Sequence, residues 1–170
     1  MIDHYLPAYD YNEIHSKIIN APVGTVYSNL RHLDFSSSWI SRILFKMRGL
    51  GTNAMSFDLM VDTGSFFTVY EKENSEWVVG LLSESFKMPS TLDNNQDFRD
   101  WNPGRGIKIA WNFKCDAITK KRVRVITETR IKCLNKKSRY IFSLYWFFIR
   151  PFSGLIRREM LRILAAKCQV

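Results

Sequence analysis

Residues 107–133, IKIAWNFKCDAITKKRVRVITETRIKC, decide the fold. Ile107, Ile109, Trp111, Phe113 and Cys115 recur at every second position, with Lys108, Ala110, Asn112, Lys114 and Asp116 between them. Period two is the mark of a strand with one face in a core. After a polar turn at Thr119, Lys120 and Lys121 the alternation resumes through Val123, Val125, Thr127, Thr129, Ile131 and Cys133. The pair therefore reads as an antiparallel hairpin with one buried face. From Ser138, the expected N-cap, to about residue 168 the period changes to that of a helix, with Ile141, Tyr145, Phe148, Phe152, Ile156, Glu159 or Met160, and Ile163 on one stripe. Pro151 removes a helical hydrogen bond and crowds the turn before it, which predicts a kink near 147–151 or a break into two helices. The apolar run 140–149 is roughly half a membrane span and closes at Arg150-Pro151, so it reads as a helix packed on the sheet. A curved antiparallel sheet gripping such a helix usually leaves a cavity that takes apolar molecules.

Upstream, 10–19 reads as a first strand with Ile14, Ile18 and Ile19, ending at Asn20-Ala21-Pro22, where proline suits a helix start. Val23, Val26, Tyr27, Leu30 and Leu33 then space as an amphipathic helix. A second short helix follows Ser36-Ser37-Ser38, with Trp39, Ile40, Ile43, Leu44 and Met47 as its stripe. Strands are expected at 57–61, 66–70 and 77–82. The stretch 89–106, punctuated by Pro89, Pro103, Gly104 and Gly106, reads as a loop with a short strand near 98–101 and as a rim or lid for the cavity. The fold class is α+β: two short helices after strand one, then a sheet of about six or seven antiparallel strands wrapped on a long C-terminal helix, in one domain.

At 170 residues the chain is long enough for a core that needs neither disulfide nor metal, and 46% hydrophobic residues place it among folded proteins. Cys115, Cys133 and Cys168 have no CxxC spacing, so no disulfide framework, metal site or cofactor is expected. Reduced thiols and an N-terminus without a basic and apolar leader predict a cytoplasmic location. The net charge of +9 is regional: residues 114–170 hold 15 Lys/Arg against three acids, whereas 1–113 hold 10 against 13. Such a basic third can contact an anionic membrane weakly, or be a solvated face. Its aromatics follow strand and helix periods instead of interleaving with the basic residues, so nucleic acid is not an expected partner. Walker, dinucleotide, zinc-protease and nucleophile-elbow motifs are absent.

The order of elements, the run Ile19-Asn20-Ala21-Pro22 with Val26-Tyr27, Leu30 and Trp39, and the stretch Thr127-Glu128-Thr129-Arg130 resemble the START-like (SRPBCC) helix-grip superfamily, which includes polyketide cyclase and dehydrase proteins. Tyr145-Trp146, Ile149-Arg150-Pro151, Ser153-Gly154 and Ile156-Arg157-Arg158 look like a bacterial branch of it. The resemblance implies a sheet–helix cavity for a small apolar or lipid-like ligand. By strand and helix period, Phe66, Tyr70, Trp77, Trp111, Phe113, Tyr145, Phe148 and Phe152 either line that cavity or fill it, and Thr127 and Thr129 project inward as its polar groups or in a plain structural role. The expected function is a binding or carrier protein, with a polyketide cyclase/dehydrase-like enzyme and an anionic-membrane-binding protein as alternatives. No catalytic set is expected. His4 and His32 read as surface residues, and His15 as exposed in parity with Glu13 and Lys17. Glu128 and Arg130 read as an outward ion pair. Arg150, Arg157 and Arg158 read as facing water, with an anionic ligand group as the alternative.

Overall fold

The structure, a computed structural model, describes residues 1–34, 36, 38, 39, 42, 43, 56, 57, 61, 66–84 and 97–169. Its elements are helix α1 (Ile2–Tyr5), strand β1 (Tyr11–Ile19), helix α2 (Val23–Arg31), strands β2 (Phe67–Lys72), β3 (Glu76–Ser83), β4 (Ile107–Thr119) and β5 (Arg122–Cys133), and helix α3 (Lys136–Lys167). The strands form one antiparallel sheet in the order β1-β5-β4-β3-β2, so the hairpin of residues 107–133 supplies its middle. The fold is the α+β helix-grip arrangement, with five strands among the described residues in place of six or seven. The strand expected at 57–61 lies largely outside them, and Phe57 and Val61, which are described, are helical. The one expected near 98–101 begins as a turn. Most of the second short helix lies outside as well, with Trp39, Arg42 and Ile43 helical.

Period-two burial decides which side of the sheet carries the main core. Val123, Val125, Phe113 and Cys115 from the hairpin, Trp77 and Val79 from β3, and Ile19 from β1 meet Val26, Tyr27 and Leu30 of α2 and Ile156, Met160, Leu161 and Leu164 of α3. The N-terminal half of α3 closes a smaller cluster, in which Phe142 and Trp146 cover Ile107, Ile131 and Cys133. The opposite face is covered too, which the hairpin's alternation did not announce. Ile2 and Leu6, with Phe98 and Trp101, pack on Leu82 and Ala110. Arg130 ties this N-terminal cover down. It donates to Glu128 at 2.7 Å and to the Leu6 carbonyl at 3.1 Å, and pairs with Asp3 at 2.7 Å. The Glu128–Arg130 pair is thus buried on its arginine side instead of solvated.

α3 begins one turn earlier than expected because Asn135, not Ser138, caps it: its side chain accepts from the Ser138 N–H at 2.7 Å. The Ser138 hydroxyl instead accepts from the Gly106 N–H at 2.8 Å, joining the helix start to the start of β4. Gly106 has φ +89, and a Cβ there would lie 2.1 Å from the Ser83 carbonyl, so only glycine fits. Pro151 lies inside α3 and does not break it. Among the described residues no helix is long and apolar enough to cross a membrane.

Candidate functional site

The site is built where edge strand β1 runs beside α3. Register sets its chemistry: Glu13 pairs with Thr129 and His15 with Thr127, so the four side chains share the face that α3 covers. Tyr11 and Ile19 share that parity and pack inward, the first against Phe142 and Trp146 and the second in the main core. Ile14 and Ile18 consequently point to solvent, 54% and 41% exposed. A strand that turns a glutamate and a histidine inward, partly buried, and exposes two isoleucines departs from ordinary patterning, and such departures mark functional or strained places.

The polar groups form a connected set. His15 Nε2 hydrogen-bonds Glu13 Oε1 at 2.9 Å, and the other Glu13 oxygen accepts from Arg157 Nη1 at 3.4 Å. Arg157, buried on α3, also donates through Nε and Nη2 to Thr129 Oγ1 at 3.2 and 2.6 Å, and through Nη1 to the Ser153 carbonyl and hydroxyl. Its guanidinium lies 5.3 Å from the centre of the Trp111 ring, whose indole N–H donates to Thr127 at 2.6 Å. Gly154 lets the helix approach this set, since a Cβ there would sit 2.6 Å from Glu13 Oε1.

Outside this set lies an open groove of about 1080 Å³ between β1 and α3. Trp146, Phe147, Pro151 and Leu155 give its apolar surface and Glu13, Arg150 and Arg158 its charged groups, with Ile14 and the His15 imidazole also along it. Cationic groups predominate. Pro151 has no N–H, so the Phe147 carbonyl one turn earlier lacks its usual helical donor beside the groove. Tyr11, under the groove's end, is held above its ordinary value of 10.0 by burial, with Cys133 adding to the rise and Ser143 opposing it, so near neutrality it is a phenol and not a base. Burial likewise pushes the Cys115 thiol up to about 12 and Cys133 up to about 11, which removes both as nucleophiles. Among the described residues no cluster of His, Cys, Asp or Glu has the makings of a metal site.

Of the ten lining residues read from the sequence, Phe66, Trp77, Trp111, Phe113, Thr127, Thr129 and Phe152 come together between sheet and helices, and Tyr70, Tyr145 and Phe148 do not. Trp77, Phe113, Thr127 and Thr129 are buried between sheet and helices, with Trp111, Phe66 and Phe152 partly buried against the main core. Phe57 fills the space over Trp77, Trp111 and Phe113, with ring centres 5.6, 5.2 and 4.9 Å away. Tyr70 is on the opposite sheet face, beside Tyr5, because an irregularity between Thr68 and Tyr70 shifts the parity of β2. Tyr145 and Phe148 are exposed, 46% and 68%, since α3 turns Phe142 and Trp146 to the sheet instead. None of the ten lines the groove. The groove's own Glu13 and His15 had one available signal: in antiparallel register they face the polar positions Thr127 and Thr129.

No family model matches the chain, and no curated protein does. Among solved structures it is similar to an aromatase/cyclase from a Streptomyces species, at 10% identity over 94% of this chain and 93% of that one, with TM-score 0.33. An HSP90 activator from Plasmodium falciparum is similar at 10% identity, over 71% and 73% of the two chains, with TM-score 0.34. A Thermus thermophilus protein is similar at 8% identity, over 94% and 97%, with TM-score 0.38. At this distance the likenesses carry nothing about substrate, partner or site residues, which rest on the geometry above.

Proposed function

We infer that the chain is a binding or carrier protein for a small lipid-like molecule with an anionic head, seated in the groove between β1 and α3. The observation that carries this reading is the groove's make-up: an apolar wall of Trp146, Phe147 and Leu155 beside Arg150 and Arg158. An apolar tail gains by leaving water along that wall, and a carboxylate or phosphate head gains charge-assisted hydrogen bonds from an arginine. The test is titration with a fluorescent fatty acid and with its alcohol analogue. One saturable site for the acid, at least about tenfold weaker for the alcohol, is the expected result. Arg150→Gln and Arg158→Gln should weaken the acid and leave the alcohol unchanged. Absence of saturable binding, or equal affinity for the two probes, overturns the reading.

One observation favours an enzyme instead: His15 and Glu13, 2.9 Å apart, both line the groove. A histidine paired with a carboxylate is the minimum equipment for moving a proton on a bound ligand, as a polyketide cyclase/dehydrase-like reaction requires. His15→Gln separates the two readings. A carrier keeps its ligand affinity within a few-fold, whereas an enzyme keeps affinity and loses turnover of whatever ligand is extracted with the purified protein.

A further inference from the structure

We propose that the solvent face of α3 docks onto an anionic lipid bilayer. Between its cationic ends this helix is apolar on its outer side as well as its inner one. Tyr140, Leu144, Phe147, Phe148, Pro151 and Leu155 follow at helical spacing and all are exposed, Phe147 by 77% and Phe148 by 68%. They form a band about 22 Å long at the usual rise per residue, and no charged residue interrupts it. A helix apolar all round is normally covered on both sides.

Charge identifies the cover. Lys136 and Lys137 stand at one end of the band, Arg158 at the other, and Arg150 along its flank, all exposed. The single carboxylate of α3, Glu159, is buried and accepts hydrogen bonds from Ser38 and Arg162. A second copy is a poor occupant: packed parallel or antiparallel, the bands would set cationic ends against cationic ends. An anionic bilayer accepts both features, taking the aromatic side chains at the headgroup boundary and the cations at its surface potential. Phe147, Pro151 and Leu155 belong to both band and groove, so a docked molecule presents the groove's mouth to the lipid.

The test uses the full chain and vesicles of phosphatidylcholine alone or mixed in equal parts with phosphatidylglycerol. Expected is co-sedimentation with the mixed vesicles only, falling as salt rises. Leu144→Ser combined with Phe148→Ser, and separately Lys136→Gln combined with Lys137→Gln, should each lower partitioning by about tenfold or more. All four positions are exposed and outside the groove, and cooperative unfolding of each variant checks that its fold is intact. Groove binding is read independently with the fatty-acid probe, so either proposal can fail alone. Equal partitioning to neutral and mixed vesicles, unchanged partitioning of the serine variant, or a dimer in sedimentation velocity that this variant dissociates would overturn the proposal.

Discussion

Arg157 sits between sheet and helix with its guanidinium bonded to Thr129, Ser153 and Glu13. Removing one partner of a buried pair leaves the other without its counter-charge, and the loss commonly exceeds what the pair contributes. Arg157→Ala is therefore expected to destabilise by about 3 kcal/mol. Adding Glu13→Gln to that variant should cost less than the sum of the single changes, with a coupling of about 1 kcal/mol or more in urea denaturation. Strict additivity would mean that Glu13 does not depend on Arg157. Glu159 offers a pH reading. Hydrogen bonds from Arg162 hold its carboxyl below the ordinary 4.5, with burial opposing and Ser38 assisting. The folded state thus binds fewer protons than the unfolded state in that window. This contribution to stability is present above about 4.5 and is lost as pH falls through the folded value. Glu159→Gln should lower stability at neutral pH and flatten its fall on acidification. A variant with an unchanged acid limb would assign that limb to other carboxylates.

At the scale of elements, the phase of α3 is where sequence and structure part. The stripe of Ile141, Tyr145 and Phe148 and that of Phe142 and Trp146 are equally apolar, so periodicity cannot choose between them. Contact with Tyr11, Ile107 and Ile131 chooses the second. Phe142→Ala should consequently cost about 3 to 5 kcal/mol, Phe152→Ala, at a half-buried position, about 1 to 2, and Phe148→Ala less than about 0.5. A larger loss for Phe148 than for Phe142 in thermal or urea unfolding would reverse the assignment. From Ile156 onward the sequence stripe was right, because Arg158 and Arg162 on the outer side break the symmetry. The strands of the hairpin 107–133 and the face they turn to the main core were legible, since the alternation has one apolar phase, whereas the burial of Lys108, Ala110, Asn112 and Arg130 on the other face was not. β1 was legible as a strand but not in orientation: Tyr11 and Ile19 argue for one phase, Ile14 and Ile18 for the other, and the wrong pair concealed Glu13 and His15. The helix α1 was missed altogether. With a single turn it has too little sequence to show a period, and it is placed by Ile2 and Leu6 packing on the sheet.

Across the whole molecule, the charge asymmetry of the sequence is partly consumed in folding. Asp3 pairs with Arg130, Asp10 with Lys132 and Arg139, and Glu13 with Arg157, so carboxylates of the acidic part fasten the N-terminal segment and β1 onto the basic part. The sheet face that α3 covers carries two packing regions of unequal size, and the three thiols report on them separately. Cys115 and Cys168 belong to the main core. Cys133 belongs to the smaller cluster under Phe142 and Trp146, next to the groove. Burial removes each thiol from contact with reagent and raises its pKa, so in the native state near neutral pH all three should react far more slowly than a free cysteine. Labelling then requires opening, and the opening free energy follows how much packing must come apart. Lifting the N-terminal half of α3 exposes Cys133, whereas Cys115 needs the main core to separate. Under increasing urea, Cys133 should label first, at a concentration where Cys115 is still protected, with mass spectrometry of digested protein assigning the sites. A bound groove ligand should slow Cys133 selectively, because Trp146 is both its cover and a groove wall. If Cys115 labels first, or all three follow one transition at every urea concentration, the two regions open as a single unit and α3 does not move by halves.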